Sequence, residues 1–211
     1  MLKYLYPSTA WNIFKYIYNN PKALKKGFDT VKDQGVKELF RKVIKSQNKY
    51  TYIVPKLTGL IQSELEGFSK QPLISIIMPV YNVDPKWLDL AIKSIEAQWY
   101  TNWELCIADD KSTNQKTTDY LKSIANPKIK IIYLEKNLNI SGATNAALAL
   151  ASGEYIALMD NDDEITPDAL YEVIKTINEK EADFIYSDED FITDKGKCVN
   201  PHYKPDFSPD L

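Results

Sequence analysis

The chain has 211 residues, 44% hydrophobic and 26% charged, which is enough apolar content for a packed domain and too much for a disordered one. Its net charge of −3 hides an asymmetry: residues 1–70 carry 13 Lys and Arg against 5 Asp and Glu, and the remainder carries 13 against 24. A single histidine, His202, and two distant cysteines, Cys106 and Cys198, exclude a His-based zinc site, a Ser-His-Asp triad or a CxxC pair built from this chain alone.

Residues 1–70 read as a basic, amphipathic helical extension. Trp11, Phe14 and Tyr18 form one stripe, Leu24, Phe28 and Val31 a weaker one, and Val36, Leu39, Phe40, Val43 and Ile44 the clearest. A fourth, with Leu57, Leu60, Ile61, Leu65 and Phe68, follows Pro55. Two readings stay open: the stripes pack on a core, or their basic faces lie on an anionic membrane surface, giving residues 1–50 a peripheral contact. No apolar run approaches the roughly 18 residues that span a bilayer, and no cleavable leader is evident. A cytoplasmic location is therefore expected, and no nucleic-acid partner.

From Pro72 the pattern alternates. Residues 73–78 form a buried-strand run that stops at Pro79, and Asp84-Pro85 opens a helix through Trp87, Leu88, Ala91, Ile92 and Ile95. A strand over 103–108, a helix over 115–125, a strand over 129–134 and an Ala-rich helix over 141–151 follow. Strands over 155–159 and 183–187 flank a helix that starts at Thr166-Pro167 and runs to about Asn178. Alternation of this kind predicts an α/β fold with a mainly parallel sheet flanked by helices. The domain boundary falls at 70/71.

Acidic residues sit where three apolar runs end: Asp109-Asp110, Asp160-Asn161-Asp162-Asp163 and Asp188-Glu189-Asp190. In an open parallel sheet those ends form the ligand-binding rim. Seven glycines supply neither GxGxxG nor a P-loop, and no GxSxG elbow occurs. An EF-hand reading of the loop from Asp160 fails because Ile165 and Tyr171 stand where Gly and Glu are required. An Asp-x-Asp remains at a strand tip, suited to Mg²⁺ or Mn²⁺ when diphosphate oxygens complete the octahedron. Taken alone, the same residues also read as a solvated turn.

Four segments occur in order: 75–82 (SIIMPVYN), 107–113 (IADDKST), 139–145 (NISGATN) and 153–163 (GEYIALMDNDD). Together they resemble the motifs of family 2 glycosyltransferases, which have the GT-A fold. The resemblance covers residues 72–211. The 186–190 (YSDED) and 204–211 (KPDFSPDL) segments look like a subgroup that makes bacterial cell-surface polysaccharides, including rhamnosyltransferase-like enzymes. The resemblance implies an inverting transfer from a nucleoside-diphosphate sugar, most readily UDP- or dTDP-linked, to a glycan or lipid-linked acceptor.

It also implies roles for individual residues. Pro79, Val80, Tyr81 and Asn82 belong to the nucleotide pocket, and Asp109 or Asp110 accepts from the base. Asn139, Gly142 and Asn145 shape the wall near ribose and phosphates; Thr144 stands where the family often carries Arg. Asp160 lies near ribose or sugar and Asp162 is the direct metal ligand, the two together being the metal-site candidates. Asp188, Glu189 and Asp190 either touch the donor sugar or brace the site. In the family the catalytic base comes later in the sequence, so no base is assigned and the chain reads as the donor-binding half of the enzyme. The alternatives are a non-catalytic donor-binding or scaffold subunit and, with less support, a nucleotidyltransferase.

Overall fold

The computed structural model describes residues 51–205. The helical stripes expected within residues 1–50 and the end of the 204–211 segment lie outside that range. Described residues fall into two compact units, one spanning Ile53–Tyr186 and another that includes 187–205.

The first unit runs α1 (Gly59–Gly67), β1 (Ile74–Val80), α2 (Pro85–Glu96), β2 (Trp103–Asp109), α3 (Gln115–Ser123), β3 (Ile129–Tyr133), α4 (Asn139–Leu148), β4 (Tyr155–Leu158) and α5 (Ala169–Lys180). The four strands are parallel in the order β3-β2-β1-β4. This is the α/β architecture expected from the alternation of the sequence. All seven residues of β2 are buried, and so are six of the seven in β1, because both strands are covered on both faces.

Alternation along each strand divides the core. Ile74, Ile76, Met78 and Val80 of β1, with Trp103, Leu105 and Ile107 of β2, pack with Leu88, Ile92 and Ile95 of α2, Leu121 of α3 and Leu170, Ile174 and Ile177 of α5. On the opposite face, Ile77, Cys106 and Ala108 meet only Ala143 and Ala147 among fully buried partners, both on α4. Small alanines let α4 lie close to the sheet. Helix α1 belongs to the same unit as the sheet: Leu65 and Phe68 pack on the larger core, and Glu64 accepts a hydrogen bond from the Tyr171 hydroxyl at 2.7 Å.

A buried polar lock closes the amino ends of the strands. Glu104 of β2 accepts from the Ser75 hydroxyl at 2.6 Å and from the Ser152 backbone N–H at 2.6 Å, and pairs with Lys130 of β3 at 2.7 Å. Ser75 in turn accepts from the Gly153 N–H at 2.8 Å. Gly153 is required there, since a Cβ would collide with the Leu73 carbonyl and the Ser75 hydroxyl. Burial alone would raise the Glu104 carboxyl, but Lys130, Ser75 and Ser152 together pull it down to about 2.

Three boundaries differ from expectation. Strand β1 continues through Pro79 to Val80 rather than stopping. The 183–187 segment is not a strand; regular structure resumes at β5 (Glu189–Ile192), which pairs antiparallel with β6 (Cys198–His202) in the second unit. Phe184 is 75% exposed and Tyr186 40%, so the apolar run that suggested a buried strand is anchored in the core by Ile185 alone. Helix α5 begins at Ala169 rather than Thr166, because buried Gln98 takes over the cap: its Oε1 accepts the Leu170 N–H and its Nε2 donates to the Thr166 carbonyl.

Candidate functional site

The parallel register brings Val80, Asp109 and Tyr133 to one level at the carboxyl edge of the sheet, with β4 ending beside Ile77. Above that edge lies a cleft of about 280 Å³. Its walls come from the tip of β1 (Pro79, Val80, Tyr81), the end of β2 (Asp110), the approach to and first turns of α4 (Asn137, Asn139, Ile140, Ala143) and the loop after β4 (Asp160, Asn161). The topology of an open parallel sheet dictates such a crevice.

Hydrogen bonds hold the rim loops to one another. The Asp110 N–H donates to the Val80 carbonyl at 2.8 Å, continuing the β1–β2 ladder past the end of β2. Asp110 Oδ1 accepts the Leu138 N–H at 2.6 Å, and its carbonyl accepts from Asn137 at 3.2 Å. Asp110 is only 3% exposed, yet no buried side-chain oxygen among the described residues lacks a partner. Its Oδ2 takes no part in the Leu138 contact and is not sealed from solvent, and Asp110 is among the residues of the cleft wall. Asp109, the other candidate, accepts from the Ser112 N–H at 3.2 Å and does not line the cleft. Burial, and then Asp109 itself, push the neighbouring Tyr133 phenol up.

Backbone strain is concentrated on this rim. Asn82 (φ 52°), Lys111 (φ 60°) and Asn139 (φ 59°) are three of five non-glycine residues with positive φ among those described. Left-handed backbone costs roughly 1 kcal/mol or more in such residues and gathers where the surroundings enforce it. Asn82 is held by its own side chain: Oδ1 accepts from the N–H groups of Thr113 and Asn114, each at 2.8 Å. It stands outside the cleft wall and locks the loop after β2 to the loop after β1. Lys111 donates from Nζ to the Glu135 carbonyl.

Of the other expected residues, Pro79, Val80, Tyr81, Asn139 and Asp160 line the cleft, with Tyr81 50% exposed. Gly142 does not; a Cβ there would strike the Leu138 side chain, so its role in the structure is close packing. Asn145 and Asp162 are exposed and lie outside the wall. In the second unit, Asp188 Oδ1 accepts the Lys204 N–H at 2.8 Å and Glu189 pairs with His202 and Lys204, each at 3.0 Å, so these carboxylates brace the β5–β6 hairpin. Half-buried Asp190 lies on β5.

Sequence reasoning missed Asn137, Ile140, Ala143 and Asn161. Ile140 and Ala143 are spaced as one helical face beside Asn139, a legible signal. Asn161 stood inside the Asp-x-Asp, read only as the spacer.

Among the described residues no three His, Cys, Asp or Glu side chains gather to hold a metal unaided. The cleft wall nevertheless carries two carboxylates, Asp110 and Asp160, and no Lys or Arg. A diphosphate would be repelled from such a wall unless a cation came with it, and carboxylate oxygens suit Mg²⁺ or Mn²⁺. The donor set therefore fits a divalent ion that brings its remaining ligands with the nucleotide.

Several known proteins resemble this chain. O-antigen biosynthesis protein RfbC of Myxococcus xanthus is 30% identical over 160 residues, 74% of this chain and 12% of that protein. The UDP-Glc:alpha-D-GlcNAc-diphosphoundecaprenol beta-1,3-glucosyltransferase WfgD of Escherichia coli is 34% identical over 132 residues, 61% of this chain and 51% of WfgD. The crystal structure of S. aureus TarS 1-349 in complex with UDP-GlcNAc aligns with a TM-score of 0.48 at 29% identity, over 52% of this chain and 32% of that one. The chain thus spans about half of WfgD and a third or less of the other two. The sequence profile of glycosyl transferase family 2 matches residues 75–206, and the chain belongs to that family.

Proposed function

We propose that this chain forms the nucleotide-sugar site of a metal-assisted, inverting glycosyltransferase of cell-surface polysaccharide synthesis, working on the cytoplasmic side. One observation carries the reading: the cleft at the strand ends brings Tyr81, Asp110 and Asp160 together from three loops. The exposed Tyr81 ring offers a face for the base, and Asp110, whose Oδ1 is taken by the Leu138 N–H, is read as accepting a base N–H through its other oxygen. Asn139, at the start of α4, lies where ribose and phosphates pass. Asp160 and Asp162 would hold Mg²⁺ or Mn²⁺, which supplies charge neutralisation to the departing diphosphate. WfgD, by its name, uses UDP-Glc and a lipid-diphosphate acceptor; a UDP- or dTDP-sugar and a lipid-linked or growing glycan are proposed here by the same kinship. For residues 1–50, contact with an anionic membrane surface is proposed; among the described residues no helix is long and apolar enough to cross a membrane.

A second reading has an observation of its own. Both carboxylates in the cleft wall are allotted to donor and metal, leaving none there to deprotonate an acceptor hydroxyl. On that reading this segment binds donor without transferring it. Calorimetry with UDP-, dTDP- and GDP-sugars, with and without Mn²⁺, tests the first step. The expected outcome is metal-dependent binding, abolished in Asp162→Ala and weakened roughly ten- to a hundredfold in Asp110→Asn, the cost of one hydrogen bond to a charged group. No binding of any nucleotide overturns the proposal. Sugar release on addition of acceptor then separates the two readings.

A further inference from the structure

Strand β1 outruns β4 by three residues. In a parallel strand the N–H and C=O of one residue point to the same neighbour, and successive residues alternate. The β1 hydrogen bonds show the sides: Ile74 donates to Asn102 and Val80 accepts from Asp110, both toward β2, whereas Leu73 accepts from Glu154 and Ile77 from Met159, both toward β4. Pro79 therefore faces β4 at a level where β4 has ended after Leu158. Its missing N–H costs nothing there. Its carbonyl would be left without a partner, and Asn161 Nδ2 supplies one at 2.7 Å. The residue between the two aspartates is thus fastened to the floor of the cleft, while the turn is closed by Asp163 N–H donating to the Asp160 carbonyl at 3.4 Å.

We infer that Asn161 is a positioning residue for the divalent ion: its amide donates to the Pro79 carbonyl and so fixes the direction in which Asp160 and Asp162 present their carboxylates. The inference rests on the donor-site reading above and deepens it. Asn161 lines the cleft, half-buried, with its amide nitrogen committed to the protein. A cation bound through two carboxylates tolerates little wander of either. Groups that orient metal ligands are commonly worth ten- to a hundredfold in metal affinity.

The test compares Mn²⁺·UDP with metal-free uridine, both titrated calorimetrically into the whole chain. Uridine reads only base and ribose contacts. Asn161→Ala is expected to weaken Mn²⁺·UDP by about tenfold or more while uridine binding stays within about twofold of wild type. Asn161→Asp keeps an acceptor oxygen but cannot donate to Pro79; it is expected to be as weak as the alanine variant. Asn161→Gln, which retains the amide, is expected to recover part of the loss. Thermal melting of each variant reports whether the unit remains folded. Tighter Mn²⁺ binding in Asn161→Asp would make the side chain a metal ligand and overturn the inference. So would unchanged Mn²⁺·UDP affinity in Asn161→Ala, or an equal loss of uridine binding. Failure of the wild type to bind Mn²⁺·UDP overturns the donor-site reading and this inference with it; binding by wild type and Asn161→Ala alike overturns this inference alone.

Discussion

Glu104 shows how much one side chain contributes far from the cleft. Its carboxyl falls from an ordinary 4.5 to about 2 on folding, so the native state favours the ionised form. The stability it supplies is complete above pH 4.5 and is lost as pH falls from there toward 2. A shift of that size corresponds to about 3 kcal/mol. Glu104→Gln is expected to remove this part of the acid dependence: urea unfolding at pH 7 and pH 3 should show a smaller difference in the variant than in wild type. An identical difference would mean that the contacts with Lys130, Ser75 and Ser152 do not hold the carboxylate in solution. The lock was not legible from sequence, where Glu104 is one charge within the strand over 103–108. Its partners Ser75, Lys130 and Ser152 come from three other segments, and only the β1–β2–β3 register brings them together.

Elements were more legible than the joints between them. Helix α2, opened by Asp84 and Pro85 and carrying Leu88, Ile92 and Ile95 inward, follows its stripe and its cap, because both are local. The start of α5 is decided by Gln98, 72 residues away in sequence from the N–H it accepts. Gln98→Leu is expected to destabilise the unit by roughly 1–3 kcal/mol, the cost of stranding the Leu170 N–H (the Thr166 carbonyl keeps the Ala169 N–H at 2.9 Å), as measured by the urea midpoint. An unchanged midpoint would mean water replaces the amide. The 183–187 segment misled for the opposite reason: its aromatic content is strand-like, but Phe184 and Tyr186 remain exposed and no ladder forms. For the cleft, Asp110 and Asp160 were legible as strand-end residues and Tyr81 through the family resemblance. Asn82 and Asp109 were legible as rim residues but not as braces, since one residue of backbone direction decides whether a side chain faces the cleft or the loop beside it.

Among the described residues, one face of the sheet packs against α2, α3 and α5 with α1 beside them, and the other against α4 alone. Cys106 sits in that face, fully buried, its thiol pushed up to about 11 by burial and by Glu104. Such a thiol is inert toward alkylating reagents until the strands part. In a Cys198→Ser background, the rate at which Cys106 is modified becomes a clock for opening of the sheet, and it needs no attached dye. Saturating Mn²⁺·UDP should slow that clock by the factor through which ligand favours the closed form, one plus the ratio of free ligand to Kd. Rapid modification in native buffer, indifferent to ligand, would show that the sheet breathes independently of its rim.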